Sequence, residues 1–231
     1  MNAKDIMTVN VVTVGPDEPV TGIARLLIER GISAVPVVDT DGTLKGIVSE
    51  GDLVHRVSSE GDRPRSWWLQ LVGDPNETPQ EYLKAHGQKA ADVMTSNVKT
   101  VSPQTSVADV AEMLEKNKIK RVPVVEGKKL VGIISRANIL QALVAGAGAQ
   151  LPKIAANDQE IRVKLLEEIG GHELANTATI NVTVNEGNVQ LWGFVDTEDA
   201  RKAVHVAAEN IAGVKSVEDN LSIMPKYSSY A

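Results

Sequence analysis

Val35-Pro36-Val37-Val38 recurs 87 residues later as Val122-Pro123-Val124-Val125, and these two short β-branched runs decide the fold. Farther along, Gly46-Ile47-Val48-Ser49 recurs as Gly132-Ile133-Ile134-Ser135 at a spacing of 86. The second copy is therefore one residue shorter between these two runs, where a hairpin turn is expected and length changes are tolerated. The chain therefore contains an internal structural repeat.

The repeat extends toward the N-terminus of each copy. Asp5-Ile6-Met7-Thr8 recurs as Asp92-Val93-Met94-Thr95. Each copy predicts the order strand, helix, strand, turn, strand, helix. Gly31 supplies the stop of the first copy's helix, and Ser106 and Asp109 have the spacing of a capping pair in the second. One copy alone would struggle to bury its sheet, so we expect the two copies to pack as a pair.

The composition excludes several kinds of site. The chain has 231 residues, of which 42% are hydrophobic but only 3% aromatic, and it has no cysteine. Disulfides, thiolate zinc sites and cysteine nucleophiles are therefore excluded, and four scattered histidines do not predict a metal cluster. No apolar stretch approaches the roughly 20 residues that span a bilayer, and the first ten residues lack the apolar core of a secretory signal. We expect a cytoplasmic protein.

The net charge of −6 is unevenly distributed. Residues 1–156 hold 18 basic and 18 acidic side chains, whereas residues 157–225 hold 5 basic and 12 acidic ones. The C-terminal part, with its net charge of −7, would repel phosphate backbones. No nucleic-acid partner is expected.

The two copies resemble CBS domains, a family named from cystathionine β-synthase. The shared pattern opens D-[IV]-M-T, continues with V-P-V-V and closes G-[IV]-[IV]-S-x-x-[DN], over residues 3–57 and 90–144. The resemblance implies a compact pair with clefts for adenosine-containing ligands, and further association of pairs into homodimers. It implies no covalent cofactor, and an adenine nucleotide, with or without Mg²⁺, as the regulatory ligand.

In the first copy Ser49-Glu50-Gly51-Asp52 matches the family's [ST]-x-x-D element. The resemblance implies that the hydroxyl lies near ligand phosphate and that the carboxylate accepts the ribose hydroxyls. A helix N-terminus beside them would offer backbone N–H groups to phosphate. The same spacing is also that of an ordinary capping box, and both functions are compatible.

The second copy departs from this pattern, with Ser135-Arg136-Ala137-Asn138. An amide lacks the charge that strengthens hydrogen bonds to ribose, so ribose binding there is in doubt. The resemblance implies a phosphate contact for Arg121, directly before the V-P step, where the first copy has Ala34. One nucleotide shared by the two copies is therefore a hypothesis. A solvated charged edge over residues 118–121 is an equal alternative.

Further residues are assigned from the resemblance alone. Thr13 and Thr100 would line the cleft, and Ile6 and Ile32, with Val93 and Ile119, would wall the base. The candidate nucleotide-binding residues are Thr13, Ile32, Ser49, Asp52, Thr100, Ile119, Lys120, Arg121, Ser135 and Asn138.

The C-terminal region predicts the element order α-β-β-α-β, with a sheet that is mainly antiparallel and covered by helices on one face. It resembles the BON family on Glu186–Thr197 (EGNVQLWGFVDT) and on the ending GVKSVEDNL. Family association suggests a phospholipid or another envelope ligand. The net charge of −7 argues against an anionic membrane. The partner of this domain is left open between a protein and a lipid.

The whole chain is thus expected to be α+β (mixed α/β), with two tandem CBS repeats packed as a pair and a small BON-like domain. Residues 67, 68, 71 and 82 (Trp, Trp, Leu and Tyr) are expected to anchor the insert by packing. The predicted boundaries are repeat 1 over 1–57, a helical insert over 58–89, repeat 2 over 90–146, a linker over 147–156, the BON-like domain over 157–225 and a tail over 226–231.

The sequence and the two resemblances suggest three possible functions for the chain. The first is a non-catalytic regulatory module that binds an adenine nucleotide of the AMP, ADP or ATP class and signals to the BON-like domain. The second is a structural adaptor, associated with a membrane or a protein, that binds no nucleotide. The third is an enzyme related to IMP dehydrogenase, in which CBS pairs occur as insertions. No catalytic barrel fits this length, so we do not expect an enzyme.

Overall fold

The computed structural model describes residues 1–54, 83, 86–145 and 156–224. Most of the predicted insert, with its anchors at 67, 68, 71 and 82, lies outside these residues, as do most of the linker and the tail. The elements, in chain order, are α1 (Ala3–Ile6), α2 (Val20–Arg30), β1 (Ala34–Val38), β2 (Leu44–Ser49), α3 (Ala90–Val93), α4 (Val107–Lys116), β3 (Arg121–Glu126), β4 (Lys129–Ser135), α5 (Arg136–Ala145), α6 (Ala156–Gly171), β5 (Ile180–Asn185), β6 (Asn188–Val195), α7 (Glu198–Asn210) and β7 (Ser216–Ile223).

The V-P-V-V runs form the first strand of a hairpin in each copy. β1 pairs with β2 in an antiparallel arrangement, and β3 pairs with β4. The first turn is built by Asp39 and Asp41, whose carboxylates both accept from Thr43 N at 2.9 and 3.0 Å. Gly42 takes a φ of 83°, which a side chain would strain.

The helix ends also follow local sequence. Gly31 ends α2 in the left-handed conformation, with a φ of 59°. Ser106 caps α4 by accepting from Asp109 N at 3.1 Å. The predicted stop and the predicted capping pair are both confirmed.

The predicted opening strand of each copy is reduced to a single bridge. Val14 bridges Val37 and Val101 bridges Val124, both in parallel. The D-[IV]-M-T motifs form the one-turn helices α1 and α3 instead. A proline follows each bridge by two residues and lacks the N–H that would extend the ladder.

The chain folds into two compact units, and each combines parts of both repeats. One unit contains Val12–Lys99 and Gly127–Leu130; the other contains Met1–Val11, Thr100–Glu126 and the chain from Val131 onward. Consequently α3, from the second copy, lies in the core of the first unit, and α1 lies in the core of the other. The core of the first unit is formed by Val14, Val20, Ile23, Leu27, Val35, Val37, Val48, Ala90 and Val93.

The exchanged segments fit a glycine in each hairpin. In the unit that contains β1 and β2, a Cβ at Gly46 would lie 2.5 Å from Met94 Sδ and 3.0 Å from Thr95 O. In the other unit Gly132 faces Met7 and Thr8 O in the same way. The methionine of D-[IV]-M-T and the glycine of G-[IV]-[IV]-S are therefore complementary parts of one contact.

Residues 157–224 show the predicted element order α-β-β-α-β. β5 and β6 form an antiparallel hairpin, whereas β7 pairs with β6 in parallel because α7 carries the chain back across the sheet. The expected antiparallel character thus holds for one strand pair of the two. The core of this domain is formed by residues of α6, α7 and the sheet, among them Ile161, Leu165, Ile169, Val182, Leu191, Val204 and Leu221.

Candidate nucleotide site

The Ser49–Asp52 element forms a capping interaction at the start of a helix. A helix begins at Glu50, immediately after β2. Asp52 Oδ2 accepts from Ser49 N at 2.9 Å and from Ser49 Oγ at 2.8 Å. The carboxylate is buried, with 9% of Asp52 exposed. The capping function that the spacing predicts is present.

The Ser135–Asn138 element of the second copy has the same geometry. Asn138 Oδ1 accepts from Ser135 N and from Ser135 Oγ, each at 2.7 Å, at the start of α5. Asn138 is buried to a similar degree, at 6% exposed. Either oxygen holds the cap, so the difference between the copies is the charge of the buried group.

Each helix start is joined to the residue that precedes the V-P-V-V strand. Glu50 N donates to Ser33 O at 3.1 Å, and Arg136 N donates to Lys120 O at 3.2 Å. In the second copy this bond brings the backbone of Lys120 directly against the first turn of α5, next to Arg121. The backbone of the basic stretch before the V-P step therefore passes beside the helix N-terminus at Lys120.

The two helix starts carry opposite charges. The first copy places the carboxylates of Glu50 and Asp52 there. The second has Arg136 at the corresponding first helical position, with Lys120 and Arg121 beside it. Lys120 and Arg136 are exposed, and Arg121 is half-buried. The second helix start is therefore the more basic of the two, and the N-terminal end of a helix dipole favours an anion.

Sequence reasoning did not select Arg136 as a site residue. The signal was available, because Arg136 lies between the two matched positions of S-R-A-N, where the first copy has Glu50. Its importance depends on the bond from Arg136 N to Lys120 O, which joins residues 16 positions apart in the chain.

The remaining candidates have different environments. Thr13 is exposed and Thr100 is half-buried, each next to the residue that bridges to the hairpin. Ile32 and Ile119 are half-buried and pack against the edges of the two CBS cores. Ile6 and Val93, in contrast, are 0% and 1% exposed inside those cores. The expectation that these last two wall a base is wrong, because core packing covers them.

The described residues contain neither a membrane-spanning helix nor a cluster of metal-binding side chains. No helix in these parts of the chain is long and apolar enough to cross a membrane. No cluster of three or more histidine, aspartate or glutamate side chains suited to holding a metal ion was found among them either.

Comparison with known proteins agrees with the domain order. The CBS domain model matches residues 3–59 and 90–145, and the BON domain model matches residues 157–225. The chain belongs to the CBS-domain family and carries a BON domain. Both predicted resemblances are thus confirmed.

The CBS pair has relatives in an archaeon and a plant. MJ1426 of Methanocaldococcus jannaschii is 34% identical over an alignment of 157 positions that covers 62% of this chain and 92% of that protein. CBSX2, a chloroplast CBS-domain protein of Arabidopsis thaliana, is 32% identical over 58% of each chain. The crystal structure of CBSX2 in complex with AMP has a TM-score of 0.53 at 31% identity, covering 62% of this chain and 96% of that one.

Proposed function

We propose that this chain is a non-catalytic regulatory protein whose CBS pair binds an adenine nucleotide and whose BON domain receives the resulting state. The observation that carries the proposal is the N-terminus of α5, where the backbone bond from Arg136 N to Lys120 O brings the basic stretch Lys120-Arg121 next to the Ser135–Asn138 cap. This combination suits the phosphates of a nucleotide, with or without Mg²⁺. The AMP complex of CBSX2 supports an adenine nucleotide as the ligand class.

The two copies would contribute unequally. At the first helix start, Glu50 and Asp52 would repel a phosphate, whereas a buried carboxylate such as that of Asp52 suits ribose hydroxyls. At the second, the cations attract phosphate and Asn138 offers no charge to ribose. We therefore propose one good nucleotide site, with its phosphates at α5. That a single nucleotide is shared by the two copies stays a prediction.

A ligand screen tests the proposal. The full chain is heated with AMP, ADP, ATP, NAD or S-adenosylmethionine at millimolar concentration, and the unfolding temperature is measured. Ligand at 100 times its dissociation constant stabilises a protein by about 2.7 kcal/mol, so a clear rise with at least one of these is expected. If none of them raises the unfolding temperature, the proposal is rejected and the structural adaptor becomes the better description.

The variant Arg136→Glu tests the phosphate position. It gives the second copy the residue that the first copy has at Glu50, and a charge near one phosphate changes affinity by roughly tenfold. We expect AMP to bind about tenfold more weakly and adenosine to bind with unchanged affinity in isothermal titration calorimetry. The control Lys202→Glu makes the same charge change on the exposed surface of α7. Equal losses for AMP and adenosine would contradict phosphate binding at α5.

The partners remain proposals. Association of CBS pairs into a homodimer follows from the family alone, and the BON domain would engage a protein or a lipid. The net charge of −7 over residues 157–225 makes a protein the better candidate than an anionic membrane.

A further inference from the structure

α5 is shared by the candidate nucleotide site and the BON domain. Its first turn carries Arg136 and the cap made by Asn138. Its middle carries Gln141, whose Oε1 accepts from Asn181 Nδ2 of β5 at 2.7 Å. A helix of this length spans about 15 Å, so any displacement at its N-terminus is transmitted along it to β5.

The N-terminal segment, residues 1–11, makes a second link. Thr8 and Ile133 exchange two backbone hydrogen bonds, at 2.9 and 3.0 Å, two residues before the Ser135 of the cap. On its other side the segment meets the BON domain, where Arg162 Nη2 donates to Met7 O at 2.6 Å and Asn10 Nδ2 donates to Thr177 Oγ1.

Arg162 joins three parts of this unit. It is 3% exposed, and Nε donates to Val182 O of β5 at 2.8 Å while Nη1 donates to Lys4 O at 3.3 Å. Thr8 N–H is used by Ile133, so Lys4 O receives from Arg162 the bond that a longer helix would have supplied. Burial lowers the pKa of Arg162 to about 10, against the opposing effect of Asp5, so the guanidinium stays charged at neutral pH.

The contact between β5 and α5 is polar. Successive side chains of β5 lie on opposite faces of the sheet. Val182 packs in the BON core, whereas the side chain of Asn181 is hydrogen-bonded to Gln141 of α5. Asn181 is 6% exposed, and its Oδ1 is buried without a hydrogen-bond partner in the described structure. A polar contact with an unmade hydrogen bond favours one arrangement less strongly than apolar packing would, which suits an interface that moves.

We infer that the BON domain reports the ligand state of the second CBS repeat, through α5 and residues 1–11, with Arg162 as a positioning residue. The inference rests on the proposed function and adds which repeat is read and by which contacts. A phosphate bound at the N-terminus of α5 stabilises one position of this helix over another. Gln141 and Arg162 then impose that position on β5.

Hydrogen exchange on the full chain, with and without AMP, tests the inference. In the wild-type chain AMP is expected to slow exchange at residues 135–140, and also at residues 180–185 and 4–8, by threefold or more. Gln141→Met removes the bond to Asn181 with little change of volume and lies outside the binding residues. In this variant AMP should still protect 135–140, but its protection of 180–185 should fall to a third or less. Gln104→Met, an exposed glutamine of the same unit, should behave as the wild type.

Arg162→Met tests the second link. The readout is the difference in hydrogen exchange with and without AMP at residues 4–8 and 180–185, and this difference is expected to become smaller than in the wild type. Faster exchange in both states with an unchanged difference would mean that Arg162 only stabilises the fold, which overturns its positioning role. Protection of 135–140 without any change at 180–185 in the wild type would overturn the inference and leave the proposed function intact. Absence of any AMP effect, together with a negative ligand screen, would overturn both.

Discussion

Asp52 and Asn138 are equivalent residues with one shared structural role and one difference in charge. Both use a single side-chain oxygen to accept from the N–H and hydroxyl of a serine three positions earlier. Sequence reasoning found this element in both copies because a cap depends on residues within one turn. The sequence also indicated the charge difference between Asp52 and Asn138 and the cation Arg121 of the second copy. It did not indicate that the backbone of Lys120 lies beside the second helix start, because that bond joins residues 16 positions apart.

This equivalence predicts the effect of Asp52→Asn on stability. Since Asn138 makes the same two bonds with an amide oxygen, we expect Asp52→Asn to keep the cap and to lower the free energy of unfolding by less than Asp52→Leu does. Asp52→Leu removes the acceptor and leaves two donors of Ser49 unpaired, which costs about 1–3 kcal/mol. Urea denaturation measures both variants. Equal losses in the two would show that the charge of Asp52, rather than its oxygen, holds the cap.

The ends of α2 and α4 show how one element tolerates different residues in the two copies. Gly31 ends α2 with a φ of 59°, and the corresponding residue after α4 is Lys118, with a φ of 54°. A glycine adopts this conformation at no steric cost, whereas a lysine does so with strain of about 1 kcal/mol. The sequence indicated the first stop through its glycine but contained no such signal for the second.

We therefore expect Lys118→Gly to stabilise the folded state by roughly 0.5–1 kcal/mol through relief of strain. The higher conformational entropy of glycine in the unfolded chain offsets part of this gain. Gly31→Ala is the matched variant in the other copy and should destabilise by a similar amount. Both are measured as shifts of the urea midpoint. A destabilising effect of Lys118→Gly would show that the side-chain contacts of Lys118, together with the greater freedom of glycine in the unfolded chain, outweigh the strain.

At the level of the whole chain, the exchanged opening segments organise the units. α1 completes the core around β3 and β4 and accepts a hydrogen bond from Arg162 of the BON domain at Lys4 O, and α3 completes the core around β1 and β2. The boundaries of the two sequence repeats therefore differ from the boundaries of the two folded units. The BON domain is bonded to residues that lie up to 167 positions away.

A pair of core truncations tests the exchange. Ile6→Ala, at a fully buried position, should cost about 2–5 kcal/mol, and Val93→Ala about 1.5–3 kcal/mol. Native-state hydrogen exchange should show lost protection at 121–135 for Ile6→Ala and at 34–49 for Val93→Ala. The reverse assignment, with Ile6→Ala loosening β1 and β2, would contradict the exchange of the opening segments.

The sequence by itself determined the repeat, the hairpins, the helix caps and the order α-β-β-α-β, because each depends on residues a few positions apart. It also indicated both families through motifs that are contiguous in the chain. Only the tertiary structure decided which core each opening segment completes, since Asp5–Thr8 and Asp92–Thr95 are nearly identical and each fits the glycine of a G-[IV]-[IV]-S strand. It alone also brought the backbone of Lys120 to the start of α5 and Arg162 to Met7, 155 residues away, because such contacts arise from packing and have no local signal.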